Sequence, residues 1–264
     1  MIRPDQLQRL LDLNDVSNAE AAPIYAELDI AIFPLLPGRK EPHVRHGLLA
    51  ASTNVELIKD WWASHPDSGI GATTGGTLGD VLDVDVKHGA PGLASFLRLR
   101  AAGLAVGSHA VATTASGGLH AVWAPSGLRN TTRPRIGLDV RGDGGYIVAA
   151  PSVIDGRFYR WERVEPERFG APLPWRQICD LLDPVPDARW GADGADGDVG
   201  ALIEWLADQE PGNRNASLFW AACRAVEAGE NPEQLRPAAL GIGLSEGEIS
   251  RTLSSARNRV GCAA

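Results

Sequence analysis

The chain has 264 residues, 44% of them hydrophobic, and a formal net charge of −8 at pH 7, which fits one large or two smaller domains. No apolar run approaches the roughly 20 residues that cross a bilayer, and the N-terminus is no signal peptide. Three widely separated cysteines argue against a disulfide framework. A membrane protein and a disulfide-stapled secreted protein are therefore excluded, and a cytoplasmic location is expected.

Predicted helices and strands alternate along the first two-thirds of the chain. In chain order they are a helical region over residues 5–28, a strand near Ile30–Leu35, a helix over residues 54–64, a strand at Val81–Val86, a helix over about Pro91–Ala102 and several strands from about His109 to Trp161. These assignments follow from helical or alternating spacing of the apolar residues. Helices mixed with mainly antiparallel hairpins predict an α+β domain with a mixed or antiparallel sheet.

The first polar cluster lies in the strand Val81–Val86. Because strand side chains alternate between two faces, Leu82 and Val84 would pack while Asp83 and Asp85 share the other face, roughly 7 Å apart. Like charges this close need a cation or protons to compensate them, and their oxygens suit Mg²⁺ or Mn²⁺. A solvent-facing polar edge explains the pair equally well.

The second cluster lies in Thr113–Trp123, where the sequence predicts a strand, a glycine bend and another strand. Gly117 and Gly118 remove side chains where a ligand can approach the backbone, and the Ser116 hydroxyl suits phosphate oxygens. His120 starts the second strand and can donate a hydrogen bond to a phosphate. Taken alone, it is equally an ordinary half-buried histidine.

The third cluster lies in Leu138–Arg141, followed by Gly142–Gly145. The glycine-rich stretch predicts a hairpin turn that leads into a strand at Tyr146–Val148. Asp139 is expected to join the first two carboxylates from a neighbouring strand, and Arg141 to meet a phosphate with its planar fork. Taken alone, an Asp–Arg surface pair beside a turn is the simpler interpretation.

In this order, the three clusters resemble the motifs of the archaeo-eukaryotic primase superfamily. More narrowly, they are similar to the bifunctional primase-polymerase domains of phages, plasmids and actinobacterial mobile elements. The similarity extends to Ile32–Leu35, Pro37–Lys40, Trp61 with Trp62, Gly69–Gly75 and Tyr146–Ser152. It covers roughly the first two-thirds of the chain, and an ordered set of motifs is far more specific than any single one.

The resemblance implies roles for individual residues. Asp83, Asp85 and Asp139 would bind the catalytic metals, Mg²⁺ or Mn²⁺, and His120 would complete the catalytic set. The residues implied to contact the incoming nucleotide are Ser116, Gly117, Gly118, His120, Arg141, Lys40 and Tyr146, the last as a candidate sugar gate. Some relatives carry a Cys/His zinc module, but the cysteines here lack paired spacing, so no structural zinc is expected.

The acidic net charge predicts weak, salt-sensitive binding of DNA, because phosphate contacts rely on basic surfaces. Local basic patches can still provide such contacts. The candidate basic patches are Arg39 and Lys40 with Arg45, Arg129 with Arg133 and Arg135, and Arg157 with Arg160 and Arg163. In the last part of the chain, a resemblance to the small helical domain of phage-type primases implies that Arg214 and Asn215 handle the template or the initiating nucleotide.

Three regions are predicted along the chain: a catalytic domain over residues 1–182, an acidic flexible linker over 183–199 and a helical bundle domain over 200–264. The linker is rich in Gly, Pro and Asp, and four helical patterns follow it, one of them opened by a capping box at Ser245–Glu248. The last region resembles, over a shorter stretch, the small helical domain that follows the catalytic domain in many phage-type primases. A generic helical bundle that packs on the catalytic domain is the alternative.

The leading hypothesis is a template-dependent DNA primase-polymerase, a nucleotidyltransferase that makes or extends primers on single-stranded DNA from nucleoside triphosphates. No Gly-x-x-x-x-Gly-Lys-Ser/Thr motif is present, so a separate helicase is expected as a partner. The alternatives are a metal-dependent nuclease or replication initiator that uses the same carboxylates, and a non-catalytic single-stranded DNA-binding adaptor. A nicking initiator commonly needs a His-x-His pattern, which the sequence lacks, and an adaptor is expected to have lost the carboxylates.

Overall fold

The computed structural model describes residues 4–183, 199–209 and 214–261. The chain divides into two compact units, Met1–Asp183 and Pro184–Ala264, here called the first and the second unit. Whether each unit is an independent domain stays a prediction. The predicted acidic linker falls on residues 184–198, which lie outside the described ones.

The described part of the first unit contains both helices and strands. Its α-helices are α1 (Pro4–Leu7), α2 (Arg9–Asp12), α3 (Asn18–Glu27), α4 (Val55–Ser64), α5 (Gly92–Ala101) and α6 (Trp175–Leu182). Its strands are β1 (Ile32–Leu35), β2 (Gly69–Thr73), β3 (Asp80–Val84), β4 (Ala110–Thr113), β5 (Leu119–Trp123), β6 (Thr131–Arg133), β7 (Leu138–Arg141), β8 (Tyr146–Ala149), β9 (Val153–Ile154), β10 (Arg157–Phe158) and β11 (Arg160–Val164).

The strands form antiparallel sheets. The larger sheet has six strands in the order β11-β4-β5-β3-β7-β6, and a second has three in the order β1-β2-β8. Strands β9 and β10 form a short ribbon of their own. Helices combined with antiparallel sheets confirm the predicted α+β class.

The six-stranded sheet separates two hydrophobic cores, because alternate side chains of each strand point to opposite faces. On one face, Leu82 of β3 and Val140 of β7 pack with Phe96 of α5 and Ile178 of α6. On the other face, Val81 belongs to the core that also contains residues of the three-stranded sheet. Side chains of β3 that share the face of Val81 therefore point toward the space beside the smaller sheet.

The ends of the predicted helices are set by local capping. The expected helix over 54–64 begins at Asn54, whose side chain accepts hydrogen bonds from the backbone N–H groups of Glu56 and Leu57 at 3.0 and 3.1 Å. Helix α3 begins with a capping box between Ser17 and Glu20. The predicted helical region over residues 5–28 is interrupted, since a 3₁₀ turn and an extended residue separate α2 from α3.

The prediction that Gly142–Gly145 closes a hairpin is wrong. Strand β7 before it belongs to the six-stranded sheet, whereas β8 after it belongs to the three-stranded sheet. The stretch crosses between the sheets, and the backbone N–H of Asp143 donates a hydrogen bond to the carbonyl of Leu128 at 2.7 Å. A Cβ on Gly142 would overlap that carbonyl, so this glycine reflects close backbone approach.

The second unit is helical where it is described. Its helices are α7 (Val199–Ala207), α8 (Arg214–Glu227), α9 (Arg236–Gly241) and α10 (Glu246–Gly261), with a 3₁₀ helix at Pro232–Leu235. The predicted capping box is confirmed, because the Glu248 carboxylate accepts from the hydroxyl and the backbone N–H of Ser245 at 2.6 and 2.9 Å. Among the helices of the described residues, none has the length and apolar character that spanning a membrane requires.

His109, the residue before β4, makes the free energy of unfolding depend on pH. Its side chain is fully buried beside Phe169, and among the described residues neither ring nitrogen has a hydrogen-bond partner. Burial lowers the pKa of His109 to about 4 from an ordinary value of 6.5. The unfolded chain therefore takes up a proton near pH 6.5 that the folded chain accepts only near pH 4, so stability falls as the pH decreases through this range.

We expect His109→Asn to remove this contribution to the pH dependence. Between pH 7 and pH 5, the wild type should lose roughly 1–2 kcal/mol more unfolding free energy than the variant. Urea denaturation at both pH values measures the difference, and His88→Asn, at an exposed histidine, is the matched control. Equal pH dependence of the wild type and His109→Asn would contradict the assignment.

Candidate active site

The register of three antiparallel strands brings polar residues together. Asp83 on β3 lies directly opposite His120 on β5 and opposite Asp139 on β7. Asp85 follows just after β3 ends. One carboxylate oxygen of each aspartate can be chosen so that all lie within 4.8 Å of one another. In the part of the chain that the structure describes, this is the one group of three or more His, Cys, Asp or Glu side chains close enough to share an ion.

Asp85 is held at the site by backbone bonds although it lies outside the strand. Its N–H donates to the carbonyl of Gly137 at 2.9 Å, and its carbonyl accepts from the N–H of Gly92 at 3.1 Å. Gly137 has a φ of 65°, and a Cβ on Gly92 would overlap the carbonyls of Gly137 and Asp85. The two glycines thus let the start of α5 and the turn before β7 close around Asp85.

Arg141 compensates part of the negative charge. Its Nη2 lies 2.8 Å from Oδ2 of Asp139 and 3.6 Å from Oδ2 of Asp83. Burial raises the pKa of Asp139, an effect that the Arg141 guanidinium opposes. One guanidinium against three half-buried carboxylates leaves an excess of negative charge, which a divalent cation would balance. The donor set, made of oxygens alone, fits Mg²⁺ or Mn²⁺.

His120 is almost fully buried beside Asp83. Its Nε2 lies 3.6 Å from Oδ1 of Asp83, and among the described residues its Nδ1 has no hydrogen-bond partner. Burial lowers the pKa of His120, and the charge of Asp83 acts in the opposite direction. The imidazole is therefore neutral at pH 7 and has one N–H to donate.

A cavity of about 300 Å³, here called the carboxylate cavity, opens beside Asp83, whereas Asp85 and Asp139 are not among its lining residues. Five residues predicted from the sequence line it, namely Asp83, His120, Arg141, Lys40 and Tyr146. Tyr146 stands on β8, where its hydroxyl donates a hydrogen bond to the carbonyl of Lys40 at 3.2 Å and its ring packs edge-on against Phe33. The cavity therefore has walls from both sheets.

Ser116 lies apart from this cavity. It lines a second cavity of about 360 Å³ together with Lys87, Arg157 and Tyr159, and its hydroxyl lies 3.1 Å from that of Thr114. The predicted phosphate contact of Ser116 would thus be made in a neighbouring space, and it stays a prediction.

The two glycines after Ser116 have different surroundings. A Cβ on Gly118 would overlap the carbonyl of Val84, so this glycine is needed for packing against β3. Gly117 has a φ of 86° and lies at an exposed turn with open space around it. Neither observation tests their predicted contact with a nucleotide.

Tyr159 was missed in the sequence and belongs to the site. It lines both cavities although only 2% of its surface is exposed, and its ring centroid lies 5.7 Å from that of His120. Burial raises the pKa of Tyr159 above its ordinary value, and the charges of Asp83 and Asp85 raise it further. The sequence signal that could have found it is its spacing of two residues from Trp161, because alternate residues of an extended segment point to the same side and both side chains are buried.

Asn130 is the second missed residue of the cavity. Its Oδ1 accepts a hydrogen bond from the N–H of Gly142 at 3.1 Å, and its Nδ2 donates to the carbonyl of Gly144 at 3.4 Å. It thereby fixes the glycine-rich crossing between the sheets. No local sequence pattern indicates this role, because the bonded residues lie 12 and 14 positions away.

Outside this site lie Arg129, Arg133, Arg135, Arg214 and Asn215, whose role in DNA binding stays a prediction. Arg133 and Arg135 both form ion pairs with Asp183, and Arg129 is exposed. In the second unit, Arg214 donates to the carbonyl of Ile242, and the Asn215 side chain accepts from the Thr252 hydroxyl at 2.6 Å. Four of the five side chains therefore already have partners within their own unit.

Comparison with known proteins identifies the family. Residues 22–178, more than half of the chain, match the family model described as the N-terminal domain of bifunctional DNA primase/polymerase. Comparison with curated proteins gives no significant match. The order of the motifs, the antiparallel α+β fold and the three clustered carboxylates agree with this family match. The chain therefore belongs to the Prim-Pol family of bifunctional DNA primase/polymerases.

Proposed function

We propose that this protein is a template-dependent nucleotidyltransferase that makes or extends primers on single-stranded DNA. Family membership supports primase or polymerase activity in general. The observation that carries the specific proposal is that carboxylate oxygens of Asp83, Asp85 and Asp139 lie within 4.8 Å of one another, beside Arg141. Such a grouping is costly in a partly buried place unless a cation compensates it.

Asp83, Asp85 and Asp139 are the residues that would hold divalent metal ions, Mg²⁺ or Mn²⁺. When bound, such ions lower the pKa of an attacking 3′-hydroxyl and neutralise the triphosphate. The supporting observation is the donor set itself, which offers carboxylate oxygens and an uncompensated negative charge.

The remaining side chains of the cavity would bind and orient the incoming nucleotide. Arg141 faces the cavity from β7 and presents a planar fork to phosphate oxygens, while the Lys40 ammonium supplies a second positive charge. His120, as a neutral imidazole, would donate one hydrogen bond to a phosphate. Ser116 would contact the distal phosphates from the second cavity, with Lys87 and Arg157 beside it.

Tyr146 would contact the sugar. Its hydrogen bond to the Lys40 carbonyl and its packing on Phe33 fix the ring in the cavity wall, so it offers a rigid surface beside which the sugar of a bound nucleotide would lie. This arrangement supports Tyr146 as the sugar gate.

The alternative of a nicking initiator has less support. Such an enzyme needs a tyrosine hydroxyl that can reach a DNA phosphate. Tyr25 is fully buried, where it donates a hydrogen bond to the Ala150 carbonyl, and Tyr159 is 2% exposed. The hydroxyl of Tyr146, the third tyrosine, donates a hydrogen bond to the Lys40 carbonyl. The partner helicase and the non-catalytic adaptor remain predictions from the sequence alone.

We expect Mn²⁺ or Mg²⁺ to stabilise the wild-type protein, because a ligand that binds only the folded chain raises its stability. At a hundredfold excess over Kd, the melting temperature should rise by roughly 5–10 °C. Asp139→Asn should lose most of this rise, whereas Asp60→Asn, at an exposed carboxylate that lines neither cavity, should keep it. Thermal melting with and without metal measures the effect, and equal rises in the two variants would count against the metal site.

We expect Asp83→Asn to lower the rate of DNA synthesis at least roughly 100-fold, because a carboxylate that holds the metals is gone. The assay contains single-stranded templates, Mg²⁺ or Mn²⁺ and labelled nucleotides of each sugar type, with and without a primer. Asp67→Asn, at an exposed aspartate that lines neither cavity, is the matched control and should remain active. Undiminished synthesis by Asp83→Asn would rule the proposal out.

A further inference from the structure

A segment at the edge of the carboxylate cavity, residues 39–50, is held in a fixed outline by backbone bonds. Within the segment, the N–H of His43 donates a hydrogen bond to the carbonyl of Pro34 in β1 at 2.8 Å. After its last residue, Ser52 and Ile32 exchange both backbone hydrogen bonds at 3.0 Å. Exposed side chains of this segment, here called the rim segment, are therefore presented on a well-defined scaffold.

Leu49 of the rim segment is 90% exposed, more than any other large hydrophobic residue in the described part of the chain. Single exposed leucines are common and need no explanation by themselves. This one sits on a 3₁₀ turn, Gly47–Ala50, directly after Leu48, which forms part of the cavity wall. Leu49 is therefore one residue from the cavity wall and offers exposed apolar surface beside it.

The rim segment also carries unneutralised positive charge. Arg39, Lys40 and Arg45 are exposed, and within the described ranges no ion pair links them to a carboxylate. Glu41 is the one acidic residue of the segment. Lys40 lines the cavity, whereas Arg39 and Arg45 do not. In a chain with a net charge of −8, this is a local surface suited to an anion.

We propose that the rim segment is a contact surface for single-stranded DNA, with Arg39 and Arg45 on its phosphates and Leu49 against the face of a base. Phosphates and flat apolar bases are the two features that this combination of cations and an exposed leucine recognises. The inference rests on the proposed function, because a strand copied at the carboxylate cavity must pass an edge of that cavity. An acidic protein surface could also pair with the arginines, but the proposed reaction does not require such a surface at the edge of the cavity.

The test separates the charged contact from the apolar one by the salt dependence of binding. Fluorescence anisotropy with a labelled single-stranded oligonucleotide, without nucleotide, measures the association constant at several salt concentrations. Arg45→Ala should reduce the slope of log K against log salt by about 0.7, the value of one phosphate contact on a single strand. Leu49→Ala should weaken binding about fivefold, the loss of a modest apolar contact, and leave the slope unchanged.

Matched controls lie on the other side of the six-stranded sheet. Leu97→Ala removes an exposed leucine of α5, and Arg176→Ala removes an exposed arginine of α6. Both helices pack on the face opposite to the carboxylates, so neither variant should change binding. Thermal melting of each variant shows that the fold is intact.

Wild-type binding at low salt that is unchanged in both Leu49→Ala and Arg45→Ala would overturn the proposal, as would the absence of any binding by the wild type. The proposed function is judged separately, by DNA synthesis of the wild type. Synthesis with unaltered binding in the rim variants rejects the rim surface alone. If the wild type synthesises no DNA but the rim variants bind single-stranded DNA more weakly than it does, the rim surface is supported and the proposed polymerase function is rejected.

Discussion

The mutual repulsion of three half-buried carboxylates, those of Asp83, Asp85 and Asp139, is the interaction that the rest of the first unit must accommodate. The register of β3 with β5 and β7 places Asp83 beside Asp139 and His120, and backbone bonds from Gly137 and Gly92 hold Asp85 at the strand end. Because backbone hydrogen bonds fix the main chain at these positions, the carboxylates can separate only by rotation of their side chains. The charge must therefore be met from outside, in part by Arg141 and for the rest by a cation.

The two sheets give this cluster a cavity. Asp83 shares the strand face of Val81, which looks toward the three-stranded sheet, and the crossing at Gly142–Gly145 carries the chain from β7 to β8. That crossing brings Tyr146 to the opposite wall, where it contacts the Lys40 carbonyl. The same connection thus links the strand that carries Asp139 and Arg141 to the wall that faces it.

Local periodicity was sufficient to predict much of this site. The period-two alternation placed Asp83 and Asp85 on one face, whereas the convergence of both with Asp139 was implied by the family resemblance. The capping box at Ser245–Glu248 follows from two side chains three residues apart. Glycine-rich turns are ambiguous, because the same residues serve a hairpin and a crossing between sheets, and the hairpin at Gly142–Gly145 was wrong for this reason. Long-range partners were invisible: Asp183 neutralises Arg133 and Arg135 from a distant helix end, and Tyr159 faces the carboxylates only through tertiary packing.

The central claim is that the three carboxylates share divalent metal, and anomalous scattering from crystals soaked in Mn²⁺ tests it most directly. The account predicts anomalous density between Asp83, Asp85 and Asp139, with an oxygen of each within ligand distance of the peaks. Density that is absent there, or present only at other surface carboxylates, would contradict it.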